Sequence, residues 1–152
     1  MKSSRWFAML SASLILVAVG GTQISRAQNN PPLPNPILYL TGLEYYNVRG
    51  NDFVRYRYDV FNKDQYPAAM FAAAPNLPPC GTNTNSSRTW VDFFTSRGQR
   101  LYGFCALGSP SNLGSIWFAL PEGEIPPSYI YIEMTDRQTN TKYKSNLADT
   151  VM

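Results

Sequence analysis

The sequence predicts an all-β fold, namely an antiparallel two-sheet β-sandwich of seven or eight strands. Short runs rich in β-branched and aromatic residues recur along the chain, and clusters of Gly, Pro, Asn, Asp and Ser separate them. No stretch shows the 3.6-residue apolar repeat of an amphipathic helix. Regular strand spacing together with one expected disulfide favours the sandwich over a β-barrel, which is the alternative architecture.

The first element is a secretory signal over residues 1–27. Lys2 and Arg5 form a basic head, residues 7–19 form an apolar run, and Ser25 and Ala27 occupy the positions that a signal peptidase reads. The run is shorter than the roughly 20 apolar residues that a membrane span needs. The sequence therefore predicts an exported protein, periplasmic or extracellular, with no stable membrane insertion after cleavage.

A proline-rich arm over residues 28–36 comes next, with Pro31, Pro32, Pro34 and Pro36 favouring an extended conformation. We expect a spacer that leads into a single β-sandwich domain over residues 37–152. A proline-rich ligand for another protein is the alternative interpretation.

The clearest strand is 53–62, where Val54, Tyr56 and Tyr58 alternate with Arg55 and Arg57. Residues 68–74 favour a short strand because prolines on both sides leave too little length for a helix. Turns are expected at 47–52 and 96–99. The remaining predicted strands are 37–46, 88–95, 100–107, 115–120, 129–135 and 141–147.

The two cysteines, Cys80 and Cys105, are expected to form a disulfide, because export delivers them to an oxidising compartment. Metal ligation or a catalytic thiol is the competing interpretation. The sequence contains no histidine, which disfavours both a zinc site and an activated nucleophilic cysteine.

Charge and composition exclude several function classes. Lys2, Arg5 and Arg26 account for the whole net charge of +3, so the domain after the signal is neutral and we expect no nucleic-acid partner. The absence of histidine excludes Ser-His-Asp and Cys-His hydrolysis, and no phosphate-binding or dinucleotide motif is present. We therefore expect no enzymatic activity, no cofactor and no metal.

Two alternatives to that expectation rest on short polar segments. Glu122 and Glu124 form a carboxylate pair of the kind that glycoside hydrolysis uses, although a solvated loop explains them better. Asn47, Asn51 and Asp52 cluster around a glycine as calcium ligands can, although ordinary turn chemistry explains the same residues and their spacing does not match a known calcium-binding loop.

Aromatic side chains give the remaining functional hint, since tyrosine and tryptophan suit both glycan surfaces and protein contacts. Four large rings are expected in the core: Trp90, Phe94, Trp117 and Phe118. The candidate binding residues are aromatic positions outside that set, with two arginines as polar companions: Tyr45, Tyr46, Tyr66, Tyr102, Tyr129, Tyr131, Arg55 and Arg57. The predicted function is a non-catalytic binding or structural module for an unknown protein or glycan, with a carbohydrate-binding module as the alternative.

The segment 120–134, from Leu-Pro through Ile-Pro-Pro to Tyr-Ile-Tyr-Ile-Glu-Met, resembles the corner between strands E and F of immunoglobulin-like and fibronectin type III domains. The resemblance implies an immunoglobulin-like sandwich in which Tyr129 or Tyr131 is the corner tyrosine and 142–147 is the last strand. It covers roughly 30 residues, so it implies the superfold and no particular ligand.

Overall fold

The computed structural model describes residues 32–79 and 86–152. The predicted signal, the beginning of the proline-rich arm and Cys80 lie outside these ranges. The eight strands are β1 (Leu38–Val48), β2 (Asn51–Val60), β3 (Thr89–Thr95), β4 (Arg100–Ala106), β5 (Ile116–Pro121), β6 (Tyr129–Asp136), β7 (Thr141–Lys144) and β8 (Ala148–Asp149). Three short 3₁₀ helices connect them: Lys63–Gln65, Ala68–Phe71 and Pro110–Ser115.

The strands form two antiparallel sheets. The first has the order β1-β2-β5, and the second has the order β4-β3-β6-β7, with β8 also paired to β6. The prediction of an all-β fold with two antiparallel sheets and seven or eight strands is confirmed, with eight strands in the described residues. No helix within the described ranges is long and apolar enough to span a bilayer.

The hairpin between β1 and β2 shows how local sequence sets the register of the first sheet. Arg49 and Gly50 both adopt positive φ, at 52° and 83°, which a two-residue hairpin turn requires. The Asn47 side chain accepts a hydrogen bond from the Gly50 amide at 2.9 Å and donates one to Asp52 at 2.7 Å. These contacts give the polar cluster a structural role as a turn.

Side chains from both sheets meet in one hydrophobic core. Phe93 of β3 lies 6.0 Å from the ring of Tyr58 in β2 and 5.6 Å from that of Phe118 in β5. All three are almost completely buried. Because successive side chains of a strand point to opposite faces, only alternate residues of each strand reach this core. The arrangement is consistent with the predicted sandwich.

That alternation corrects the expected core. Phe118 is buried as predicted, but Trp90, Phe94 and Trp117 are only half-buried. The buried residues of β3 are Thr89, Val91, Phe93 and Thr95. Trp90 and Phe94 alternate with them and therefore point to the outer face of the second sheet. The prediction of a core position was wrong for Trp90, Phe94 and Trp117. It relied on the size of the rings and not on the alternation of inward and outward positions along each strand.

The predicted strand at 68–74 is also wrong. Ala68–Phe71 forms a 3₁₀ helix after Pro67, and its Met70 and Phe71 side chains are buried in the core. Among the described residues, an isolated β-bridge joins Ala73 to Ser87. Proline favours the start of a helical turn as readily as it interrupts a strand, which explains the outcome.

The described part of the proline-rich arm packs against the domain. Asn62 is buried, and its amide donates to the carbonyl of Asn35 at 2.9 Å while accepting from the amide of Ile37 at 2.8 Å. Tyr66 donates its hydroxyl hydrogen to the carbonyl of Pro34 at 2.7 Å. Leu33 packs against the core. Residues 33–36 of the arm therefore belong to the same folded unit as the strands.

Candidate functional site

The predicted binding tyrosines fall into different environments. Tyr45, Tyr102 and Tyr129 are exposed, at 68%, 41% and 46%, while Tyr46 and Tyr131 are half-buried. The set therefore does not form one continuous surface.

Tyr66 was predicted to be an exposed binding residue, but only 2% of its surface is exposed. Its hydroxyl holds the proline-rich arm, and its ring meets the edge of the Tyr143 ring at 6.2 Å. Burial raises the pKa of the Tyr66 hydroxyl. The alternation of buried and exposed residues along a strand could not predict the burial of Tyr66, because this residue follows a 3₁₀ turn outside any strand.

Three side chains of the first sheet and one of the second sheet form a stack. The Arg55 guanidinium lies 4.6 Å from the Tyr46 ring centre and 4.3 Å from that of Trp117. Trp117 in turn stacks on Tyr102 at 5.8 Å, with 13° between the ring planes. Three predicted residues, Tyr46, Arg55 and Tyr102, are thus brought together by Trp117. We call this set, Tyr46, Arg55, Trp117 and Tyr102, the aromatic–cation stack.

Trp117 is the functional candidate that the sequence prediction missed. The signal was present, since Ile116 and Phe118 on either side of it are buried and strand alternation then places Trp117 on the other face.

One carboxylate holds both predicted arginines. Glu44 accepts from Arg57 Nε at 2.8 Å and Nη2 at 2.6 Å, and from Arg55 Nη1 at 3.1 Å. The hydrogen bond from Arg57 holds the pKa of Glu44 below its usual range. Arg55 Nε is buried and has no hydrogen-bond partner among the residues that the structure describes. Two cations therefore share a single anion on this face of the first sheet.

Tyr129 and Tyr131 lie on the second sheet, away from that stack. Tyr131 stacks on Phe94 at 5.2 Å, and the Lys144 ammonium lies 4.1 Å from the Tyr131 ring centre. Within the described residues neither Tyr129 nor Tyr131 makes a hydroxyl hydrogen bond, although a corner tyrosine is defined by one. Tyr58 does bond to the backbone, since its hydroxyl donates to the carbonyl of Asp149 at 3.1 Å.

Strand β1 forms an edge of the first sheet. Within the described residues its one strand partner is β2. Large exposed hydrophobic side chains concentrate along it and at the residue just before it: Ile37, Tyr39, Leu43, Tyr45 and Val48. The beginning of the edge is covered, because the Asn146 side chain both donates to and accepts from the backbone of Leu38. A register shift between Leu40 and Gly42 follows, and residues 42–48 remain as a regular edge.

Two carboxylates of the second sheet lie side by side, and each is held by a cation. Asp92 and Glu133 are direct cross-strand neighbours. Each is neutralised by a cation, Asp92 by Arg100 at 2.6 Å and Glu133 by Lys142 at 2.7 Å. The arginine reaches Asp92 across Gly103, where any larger residue would collide with both partners.

The other candidates for chemistry are loop residues or lie partly outside the described ranges. Glu122 and Glu124 are exposed in the loop after β5. No group of three or more acidic or cysteine side chains gathers in a metal-binding arrangement among the residues described. Cys80 lies outside those ranges, so its disulfide with Cys105 stays a prediction.

Comparison with known proteins adds no assignment: no protein-family model matches the chain, and no curated protein or solved structure shows significant similarity to it.

Proposed function

We propose that this protein is an exported, non-catalytic binding module that captures an extended segment of a partner protein as an additional strand beside β1. The observation that carries the proposal is the regular edge at residues 42–48, which is unpaired on one side within the described part of the chain. Peptide addition to a sheet edge is a recurrent mode of recognition, with affinity from backbone hydrogen bonds and specificity from alternating side chains.

The two edges of the second sheet, β4 and β7, carry protection that this segment lacks. Strand β7 has four residues and presents Lys142 and Lys144, and edge lysines discourage strand addition. Strand β4 is irregular where β3 shifts register between Phe93 and Phe94. In residues 42–48 the one charged side chain is Glu44, and both arginines of β2 bind it.

The side-chain environment indicates what the added segment should contain. Leu43 pairs with Tyr56 and Tyr45 pairs with Val54, and directly paired residues lie on the same face. Tyr56 and Val54 are buried, yet Leu43 and Tyr45 are 37% and 68% exposed. The core face of the sheet is thus uncovered at this edge, and an incoming strand with apolar residues at alternate positions would cover it.

The fold context supports an immunoglobulin-like module. In constant-type immunoglobulin domains the first, second and fifth strands share one sheet, while the third, sixth and seventh share the other. The strands β1, β2 and β5, and β3, β6 and β7, are divided in the same way here. Strand β4 differs from that order because it pairs with β3.

Selection of a random peptide library on the purified protein tests the proposal. Selected peptides should carry apolar residues at alternate positions, and a Tyr45→Lys variant should bind them at least about tenfold more weakly, since a charge is placed in the new strand contact. Tyr129→Lys is the matched control, because Tyr129 is an exposed strand tyrosine on the other sheet. Equal loss in both variants, or none in Tyr45→Lys, would contradict the proposal.

A further inference from the structure

A small notch lies where the edge of the second sheet meets the edge of the first. Its volume is about 160 Å³, and it is lined by side chains from β4, from the 3₁₀ helix Pro110–Ser115 and from β5: Tyr102, Phe104, Asn112, Ser115, Ile116 and Trp117. Aromatic walls beside an amide and a hydroxyl make a mixed lining. This lining differs from the β1 edge, which offers backbone groups and aliphatic or tyrosine side chains.

The ring geometry leaves aromatic surface available in this notch. The Tyr102 and Trp117 rings are nearly parallel, but their centres are 5.8 Å apart. Parallel rings at that separation are offset, so each covers only part of the other. Arg55 lies against Trp117 at 4.3 Å and fixes its orientation. The apolar side of a sugar ring could pack on the uncovered part.

A cation lies at the margin of the same notch. Arg57 uses Nε and Nη2 to bind Glu44, whereas its Nη1 lies 3.5 Å from the hydroxyl oxygen of Ser115, a residue of the notch lining. Glu44 also binds Arg55, so the cluster of Glu44, Arg55 and Arg57 has one positive charge in excess. The other carboxylate nearby, Asp59, is paired with Lys63 at 2.8 Å. An anionic group at Arg57 Nη1 would therefore meet a favourable local charge.

The amide of Asn112 contributes a neutral acceptor. Its nitrogen donates to the carbonyl of Leu107, which leaves its side-chain oxygen able to accept from a hydroxyl group.

We propose that this notch binds a uronic acid residue of an acidic polysaccharide. The sugar carboxylate binds Arg57 Nη1 and Ser115, a ring hydroxyl donates to Asn112, and the apolar face of the sugar packs on Tyr102 and Trp117. This site is independent of strand addition at β1, so either proposal can fail without the other.

The test is binding of oligogalacturonate, with cello-oligosaccharides of equal length as the neutral comparison. Titrations use intrinsic fluorescence in a Trp90→Phe background, which leaves Trp117 as the reporter in the domain. Oligogalacturonate should change the Trp117 signal and bind at least about tenfold more tightly than the neutral sugar, and added salt should weaken it.

Variants then separate the notch from general charge attraction. Arg57→Gln should weaken oligogalacturonate binding about tenfold, whereas Arg97→Gln, at an exposed arginine in the turn after β3, should not. If Arg57→Gln unfolds, Ser115→Ala replaces it, with a severalfold loss expected. No binding at millimolar oligogalacturonate in low salt, equal binding of both sugars, or equal effects of the two arginine variants would overturn the proposal.

Discussion

Two adjacent phenylalanines of β3 give a sharp test of how the sheets are joined. Phe93 is fully buried and its ring contacts Tyr58, Phe104 and Phe118, so it connects β3 to both β2 and β5. Replacing a buried phenylalanine by alanine costs about 3–5 kcal/mol in the free energy of unfolding. Phe94 is half-buried on the outer face and stacks on one ring, that of Tyr131. Phe94→Ala should cost about 1 kcal/mol.

Urea unfolding at neutral pH, followed by circular dichroism, measures both values. Both variants replace phenylalanine by alanine, at adjacent positions of one strand. Differences in side-chain size and strand propensity therefore cancel when the two are compared. Phe93→Ala should be at least about 2 kcal/mol less stable than Phe94→Ala. If Phe94→Ala is the less stable of the two, the parity of β3 and the shared core are refuted.

The remaining predictions concern the arm, a buried ion pair and the cysteines. Asn62→Ala should lower the free energy of unfolding by about 2 kcal/mol in urea titrations, because the buried Asn62 side chain loses its two hydrogen bonds, to Ile37 and Asn35; an unchanged value would contradict the packed arm. Arg88 holds the pKa of Asp136 below its usual range, so the pair stabilises the fold at neutral pH and this contribution is lost as the pH falls below about 4. Asp136→Asn should therefore lower the free energy of unfolding by about 3 kcal/mol at pH 7, and this free energy should then fall less between neutral and acid pH than in the unmodified protein. An unaltered pH dependence would argue against the pair. The intact mass should match the chain from residue 28 with Cys80 and Cys105 joined, and reduction should cost about 3.5 kcal/mol; two free thiols would refute the bridge.

Strand positions were the most predictable part of the fold. The alternation of Val54, Tyr56 and Tyr58 with Arg55 and Arg57 predicted both the strand and its buried face, and the burial pattern of β2 agrees. Period-two alternation is a local property that one sequence carries in full, so no knowledge of neighbouring strands is needed to read it.

Positions that depend on tertiary partners were less predictable. Tyr66 is buried because Pro34, far away in the sequence, accepts its hydroxyl hydrogen. The groups that stack on Trp117 on the outer face, Tyr102 and Arg55, come from two other strands, so the sequence of β5 could not predict them. The identity of the edge strands, on which the proposed function depends, follows from strand order, and that order is set by packing between distant segments.

Amide hydrogen exchange across residues 42–48, with and without a selected peptide, tests the central claim most directly. In the free protein the amides that point away from β2 should exchange rapidly, and the peptide should slow them, while the amides of β7 stay unchanged. If amides across 42–48 are already all protected in the free protein, or if bound peptide leaves their exchange rates unaltered, β1 is not the binding edge.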